Sequence, residues 1–206
     1  MGETLVVHKH VTHDMVQKAR ENIADVIHQT PLLPSQTFSQ ICERPVFLKA
    51  ENLQRTGAFK IRGATNFIAN IPESQRNREV IAASAGNHAQ GVALASQIRG
   101  LHCTIIMPKG ASTAKVSATR SYGAEVVLYG QNFEDSQAEA ARRAEENHLI
   151  LIPAFDDVHV IAGQGTIGTE ILKDLPDVES VIIPVGGGGL ISGMAVALKE
   201  ARPDIT

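Results

Sequence analysis

The chain has 206 residues, 43% of them hydrophobic and 20% charged, and a net charge of −3 from 19 basic and 22 acidic side chains. That balance excludes a disordered chain, and the length suffices to bury a core. The acidic excess and the 4% of aromatics, with no Trp, leave no footprint for nucleic acid or an anionic membrane.

Cys42 and Cys103 stand far apart and in no CxxC pair, which fits a reducing compartment, the cytoplasm, and no disulfide framework. No apolar run approaches the roughly 18 residues that span a bilayer, so no membrane partner is expected. The N-terminus lacks a basic stretch followed by an apolar one, so it does not read as a signal peptide. Val6 stands where a myristoylation pattern on Gly2 needs Ser or Thr. His8, His10 and His13 have no acidic or Cys partner nearby and read as solvated side chains; no metal site is expected.

Taken in chain order, Thr12 caps a helix whose apolar stripe is Met15, Val16, Ala19, Ile23, Val26 and Ile27, ended by Thr30-Pro31. A strand is predicted over 46–50 and a helix over 58–69. Strands follow at 80–84, 103–107, 125–129 and 149–152, with helices at 87–98, 113–122 and 131–147 between them. A helix around 165–175, a buried strand over 181–185 and a helix over 190–201 complete the pattern. This alternation implies parallel pairing in an α/β fold.

Several sites are missing. There is no GK[ST] for a nucleoside triphosphate, no HExxH and no GxSxG, and Ile191 spoils a GxGxxG beginning at Gly186. Three strand-to-helix junctions stand out instead, where parallel sheets place their ligands.

Gly186-Gly187-Gly188-Gly189 precedes a helix, so its N–H groups can converge on a phosphate at the positive end of the helix dipole. Its plain alternative is a flexible turn. Ser84-Ala85-Gly86-Asn87-His88 can hold a carboxylate on its N–H groups, although by itself it reads as an ordinary helix cap. Lys60, within Thr56-Gly57-Ala58-Phe59-Lys60-Ile61-Arg62-Gly63, falls in the first turn of a helix. There the dipole disfavours the ammonium and favours the free amine that Schiff-base chemistry needs. An isolated lysine would otherwise be a surface residue. An amine, a carboxylate site and a phosphate site together point to an aldehyde cofactor with a phosphate handle, for which pyridoxal 5′-phosphate is the leading candidate.

The run from Glu51 to Ala64, then Ser84 to Gly91, Ala162-Gly163-Gln164-Gly165-Thr166, and Gly186 to Leu190 occur in that order. In these motifs the chain, from about Val11 onward, resembles the threonine dehydratase (threonine ammonia-lyase) and serine racemase group of fold type II pyridoxal-phosphate enzymes. The resemblance implies that Lys60 carries the cofactor as a Schiff base and then moves the substrate α-proton. It implies that Phe59 packs on the cofactor ring and that Asn87 donates to the ring's phenolate oxygen. Gly186, Gly187, Gly188 and Gly189, with Leu190 opening the helix, match the phosphate loop. Ser84, Ala85, Gly86, Asn87 and His88 match the loop for the substrate carboxylate.

The implied reaction is β-elimination, which turns L-threonine into 2-oxobutanoate and ammonia, or L-serine into pyruvate and ammonia. Racemases of this group carry a serine at the position of Ala85, where it reprotonates the face opposite the lysine; Ala85 has no proton to give, which favours the dehydratase. Ala58 replaces a serine found in many relatives, with little expected consequence. Phe-Lys-Ile-Arg-Gly argues against the cysteine synthase branch. Serine racemase, and an inactive fragment with a binding or assembly role, are the competing expectations.

The implied fold is tryptophan synthase β-like: parallel-rich sheets with helices on both faces, and a small α/β domain inserted in a large one. Residues 1–51 and 155–206 would form the large domain and 52–154 the inserted one. Members of the group are longer, so the large domain is expected to be incomplete over 206 residues. Another strand is expected near Ile205. A homo-oligomer is expected for the full-length enzyme, and inactivity or instability for this chain alone.

Overall fold

The computed structural model describes residues 10–206. The Gly2 pattern and His8 lie outside the described residues. His10 is exposed, and His13 Nε2 sits 2.9 Å from Gln17 Nε2.

Helix α1 spans His13–Ile23, capped as expected by Thr12, whose hydroxyl accepts from Met15 N–H. It ends earlier than Thr30-Pro31 because the chain turns at Ala24, although Val26 still reaches the core. Two short strands, β1 (Leu32–Pro34) and β2 (Phe47–Lys49), pair antiparallel around helix α2 (Gln36–Cys42). Helix α3 spans Lys60–Ala69.

A parallel sheet follows, in the order β5-β4-β3-β6: β3 is Val80–Ala83, β4 Cys103–Met107, β5 Glu125–Leu128 and β6 Ile150–Leu151. Val80 lies opposite Cys103 on one side and Ile150 on the other. The connecting helices are α4 (Asn87–Ile98), α5 (Thr113–Ser121) and α6 (Phe133–Glu146).

Alternation along the strands sends side chains to both faces. Val80, Ala82, Ile105, Met107 and Val126 pack with residues of α3, α4 and α5. Ile81, Ala83 and Ile106 pack with Ala140 and Ala144 of α6. Both faces are covered, which is why these strands read as unbroken apolar runs.

Helix α7 (Val158–Asp174) begins seven residues before the expected start, capped by Asp157, whose carboxylate accepts from His159 and Val160 N–H. Helix α8 spans Gly189–Ala201. These two helices pack on each other and on α1 through Val16, Ala19, Ala162 and Ala197.

The expected buried strand over 181–185 is not a strand. Ile182 is 99% exposed and Val185 63%. Val181 N–H donates to Thr206 O and Thr206 N–H to Glu179 O, a single parallel-type bridge. Beyond it, no strand among the described residues lies alongside, so only Val181 and Ile183 find apolar cover. Ile205 is buried at the expected position of a further strand. No described helix is long and apolar enough to cross a membrane.

Candidate active site

Three helix crossings bring the distant motifs together, and each depends on glycine. A β-carbon on Gly163 of α7 would lie 2.7 Å from Arg62 O, so α7 can touch α3 only with glycine there. Two residues on, a β-carbon on Gly165 would lie 2.6 Å from Gly193 O, so the same helix touches α8 on another side. On α4, a β-carbon on Gly91 would lie 3.0 Å from Ile61 N, which sets the Ser84–His88 junction beside the first turn of α3. The Ala162–Thr166 motif is therefore the hub on which the start of α3 and the start of α8 meet.

At that meeting point lies a cavity of about 300 Å³, within the range of small-molecule sites. Phe59, Lys60, Ala154, Phe155, Gln164 and the loop from Pro184 to Leu190 line it. Lys60 opens α3, as the spacing predicts. Its amine donates to Ala154 O at 2.7 Å and sits 5.4 Å from the centroid of the Phe59 ring. Burial lowers its pKa, which favours the neutral nucleophile. The direction matches the expectation from the helix dipole, but the cause is desolvation.

The glycine loop faces Lys60 across the cavity. Gly188 has φ +86°, a left-handed conformation that excludes most side chains. β-Carbons on Gly186 and Gly188 would meet nothing within 4 Å. At Gly187 a β-carbon would run into the Phe155 ring, and at Gly189 it would lie 2.7 Å from Phe155 O. The loop thus presents bare backbone at the N-terminus of a 13-residue helix, the arrangement that suits a phosphate.

The second junction is beside the cavity but does not line it. Ser84 and His88 are buried, Ala85 and Gly86 are partly covered, and Asn87, the first residue of α4, is exposed. The Ser84 hydroxyl accepts from Gly86 N–H at 3.1 Å, holding the turn. His88 Nε2 lies 3.2 Å from Ile152 O, which can only accept, so the ring carries its proton on Nε2. Burial, with a smaller push from the charge of Lys60, pulls its pKa down to about 4, so the ring is neutral near pH 7.

Sequence reasoning missed what holds α3 in place. Arg62, fully buried, donates to both carboxylate oxygens of Glu51 and of Glu170 and to the Thr166 hydroxyl. Lys49 adds a 2.6 Å ion pair to Glu170. Desolvation works against the Arg62 charge, but the hydrogen bonds from Glu51 and Glu170 outweigh it and raise its pKa. Gln164 and Phe155 were also not foreseen as lining residues. Gln164 Oε1 accepts from Gly63 N–H at 3.3 Å. The one available signal was their position, inside the Ala162–Thr166 motif and just after a predicted strand end.

A desolvated amine facing a side-chain-free cradle at a helix N-terminus fits an aldehyde bearing a phosphate. The comparisons with known proteins agree. The chain is 50% identical over 195 residues to an L-threonine ammonia-lyase of Thermotoga maritima, covering 95% of this chain and 49% of that protein. Maize serine racemase superposes with a TM-score of 0.91 at 36% identity, over 95% of this chain and 59% of that one. The processed form of threonine deaminase isoform 2 from Solanum lycopersicum superposes with a TM-score of 0.88 at 40% identity, over 100% of this chain and 59% of that one. The chain therefore spans about half to three-fifths of the length of these relatives. The cavity brings together an amine and a bare-backbone loop that fit such a cofactor, and the model of the pyridoxal-phosphate dependent enzyme family matches residues 23–206: the chain belongs to that family.

Proposed function

We propose that this chain carries the cofactor-binding part of an L-threonine ammonia-lyase that also accepts L-serine. The observation that carries this reading is the desolvated amine of Lys60 facing the glycine loop in one cavity. When bound, pyridoxal phosphate supplies an aldehyde that captures the substrate amine and a conjugated ring that takes up the electron pair released at Cα.

The chain's own residues do the rest. The N–H groups of Gly186 to Leu190 would hold the phosphate, and Phe59 would pack on the ring. Asn87, exposed and outside the cavity lining here, would reach the ring's phenolate oxygen only as its junction closes on the site. Within the Ser84–His88 junction, Ser84 N–H is taken by Ile106 O and Gly86 N–H by Ser84 Oγ, so the N–H groups of Ala85, Asn87 and His88 would bind the substrate carboxylate and hold Cα near Lys60. Lys60 Nζ, whose pKa is lowered by desolvation, takes the α-proton. Loss of the β-hydroxyl as water, followed by hydrolysis, leaves 2-oxobutanoate and ammonia from threonine, or pyruvate and ammonia from serine.

Residues 52–154 act as a small inserted domain, and 1–51 with 155–206 as parts of a larger one. In support, the sheet has its own core, while α1, α7 and α8 share another. Closure of one over the other would exclude water from the site. The buried Cys103 thiol, pushed up to about 12 by desolvation, takes no part, and the two free cysteines suit the cytoplasm. The working enzyme is read as a homo-oligomer, as expected for the group.

The test is a coupled 2-oxo acid assay with L-threonine and L-serine on this chain and on a longer form. Formation of 2-oxobutanoate by the longer form supports the reading. Formation of D-serine faster than pyruvate would favour the racemase, against which Ala85 argues because its methyl group has no acidic proton to give.

A further inference from the structure

The segment leaving β6 is used three times within four residues. Ile152 O pairs with His88 Nε2, Ala154 O holds the amine of Lys60, and Phe155 lies against the glycine loop. The first two contacts use backbone oxygens, so many side chains could stand at those positions. The third depends on one particular side chain.

A loop of four glycines is soft, because glycine loses the most conformational freedom on ordering. Backbone N–H groups hold a ligand well only if they are fixed before it arrives. One end of this loop is fixed by α8. The other end follows the segment 182–185, which makes no ladder beyond Val181. Something else must restrain the loop on that side.

The geometry identifies it. The three atoms nearest to a β-carbon on Gly187 all belong to the Phe155 ring, and the three nearest to one on Gly189 are Phe155 O, Cβ and Cα. Gly187 has no positive φ, so its backbone would accept alanine; the ring is what excludes a side chain there. Phe155, although 41% exposed, therefore lies directly against the loop at Gly187 and Gly189, and the preceding residue's carbonyl carries Lys60.

We infer that Phe155 is the positioning residue that clamps Gly187 and Gly189 at a fixed distance from Lys60 and so gives the site its preference for a phosphorylated aldehyde. This rests on reading Gly186–Gly189 as the phosphate loop. An aldehyde without the phosphate does not use the loop, so its binding is indifferent to the clamp.

The test titrates the full chain with pyridoxal 5′-phosphate and, separately, with pyridoxal, following the visible absorbance of the bound aldehyde. Phe155→Ala is expected to cut the preference for the phosphorylated form about tenfold, the equivalent of one charge-assisted hydrogen bond, and to change pyridoxal affinity less than about threefold. Phe155→Leu should fall between. Gly187→Ala should cost a similar preference. The double variant Phe155→Ala/Gly187→Ala should lose less than the sum, because removing the ring makes room for the new methyl.

An unchanged preference in Phe155→Ala overturns the clamp while leaving the phosphate loop standing. Equal losses for both aldehydes in Phe155→Ala and Phe155→Leu, or strictly additive losses in the double variant, also overturn it. A wild-type chain that binds pyridoxal but shows no preference overturns the phosphate-loop reading, and the clamp with it.

Discussion

The two glycine-bearing junctions beside Lys60 stand on different supports. Ser84–His88 leaves β3, which is paired on both sides and buried along its whole length. Gly186–Gly189 leaves a segment paired at Val181 alone, with Ile182 fully in solvent. The first junction inherits its position from a sheet. The second takes its position from helix crossings on α7 and from Phe155. Two loops of similar composition can thus be equally well placed and fail for different reasons.

The largest expected effect removes the comparison altogether. Arg62→Met strips from the part-buried Glu51 its only paired cation among the described residues and leaves Glu170 with Lys49 alone, which should cost about 3 kcal/mol in urea unfolding. Because Arg62 anchors α3, both junctions should loosen together.

Gly165→Val sharpens the comparison. The new side chain meets Gly193 O and Val16, so α8 must shift away from α7, at a cost of about 3 kcal/mol. Amide exchange should rise at residues 189–193 and stay near the original rate at 87–91. Equal acceleration at both would break the distinction.

Acid weakens the first junction through His88. His88 is held neutral, with its pKa lowered from 6.5 to about 4. The unfolded chain takes up this proton first, so stability falls as pH drops from about 6.5 to about 4 and the penalty then levels off. The loss is roughly 3 kcal/mol at full extent. The difference in stability between the original chain and His88→Gln should shrink or invert across that window. A pH-independent difference would contradict it.

The smallest effect needs no substitution. Backbone amides at 182, 183 and 185 should exchange close to the unprotected rate, while those at 80–83 should be protected to the level of global unfolding. Matched protection would mean that 181–185 is supported as β3 is.

Legibility in the sequence followed the same division. The bounds of α4 and β4 were readable to the residue, because apolar runs there are closed by Gly86, Gly100 and Pro108. The short β1 and β2 are partly exposed, and α2 buries nothing, so β1 and α2 carry no periodic stripe. The first turns of α7 fall before the expected start at 165; Gly163 and Gly165 lower helix propensity there, yet they are contact points between helices. The apolar run 181–185 read as a buried strand because composition cannot show whether a neighbour is present. Lys60, Phe59 and the glycine loop were legible as local motifs that converge in the cavity. Arg62, whose partner Glu170 is 108 positions away, gave no local signal. Neither did Phe155, whose role exists only once α8 is in place.

The proposed function depends most on Lys60 being the amine that takes the cofactor. The direct measurement is borohydride reduction of the chain after incubation with pyridoxal phosphate, followed by peptide mapping. A single phosphopyridoxyl label is expected on the peptide containing Lys60, absent from Lys60→Ala. A label spread over exposed lysines, or retained in Lys60→Ala at the same stoichiometry, would contradict it.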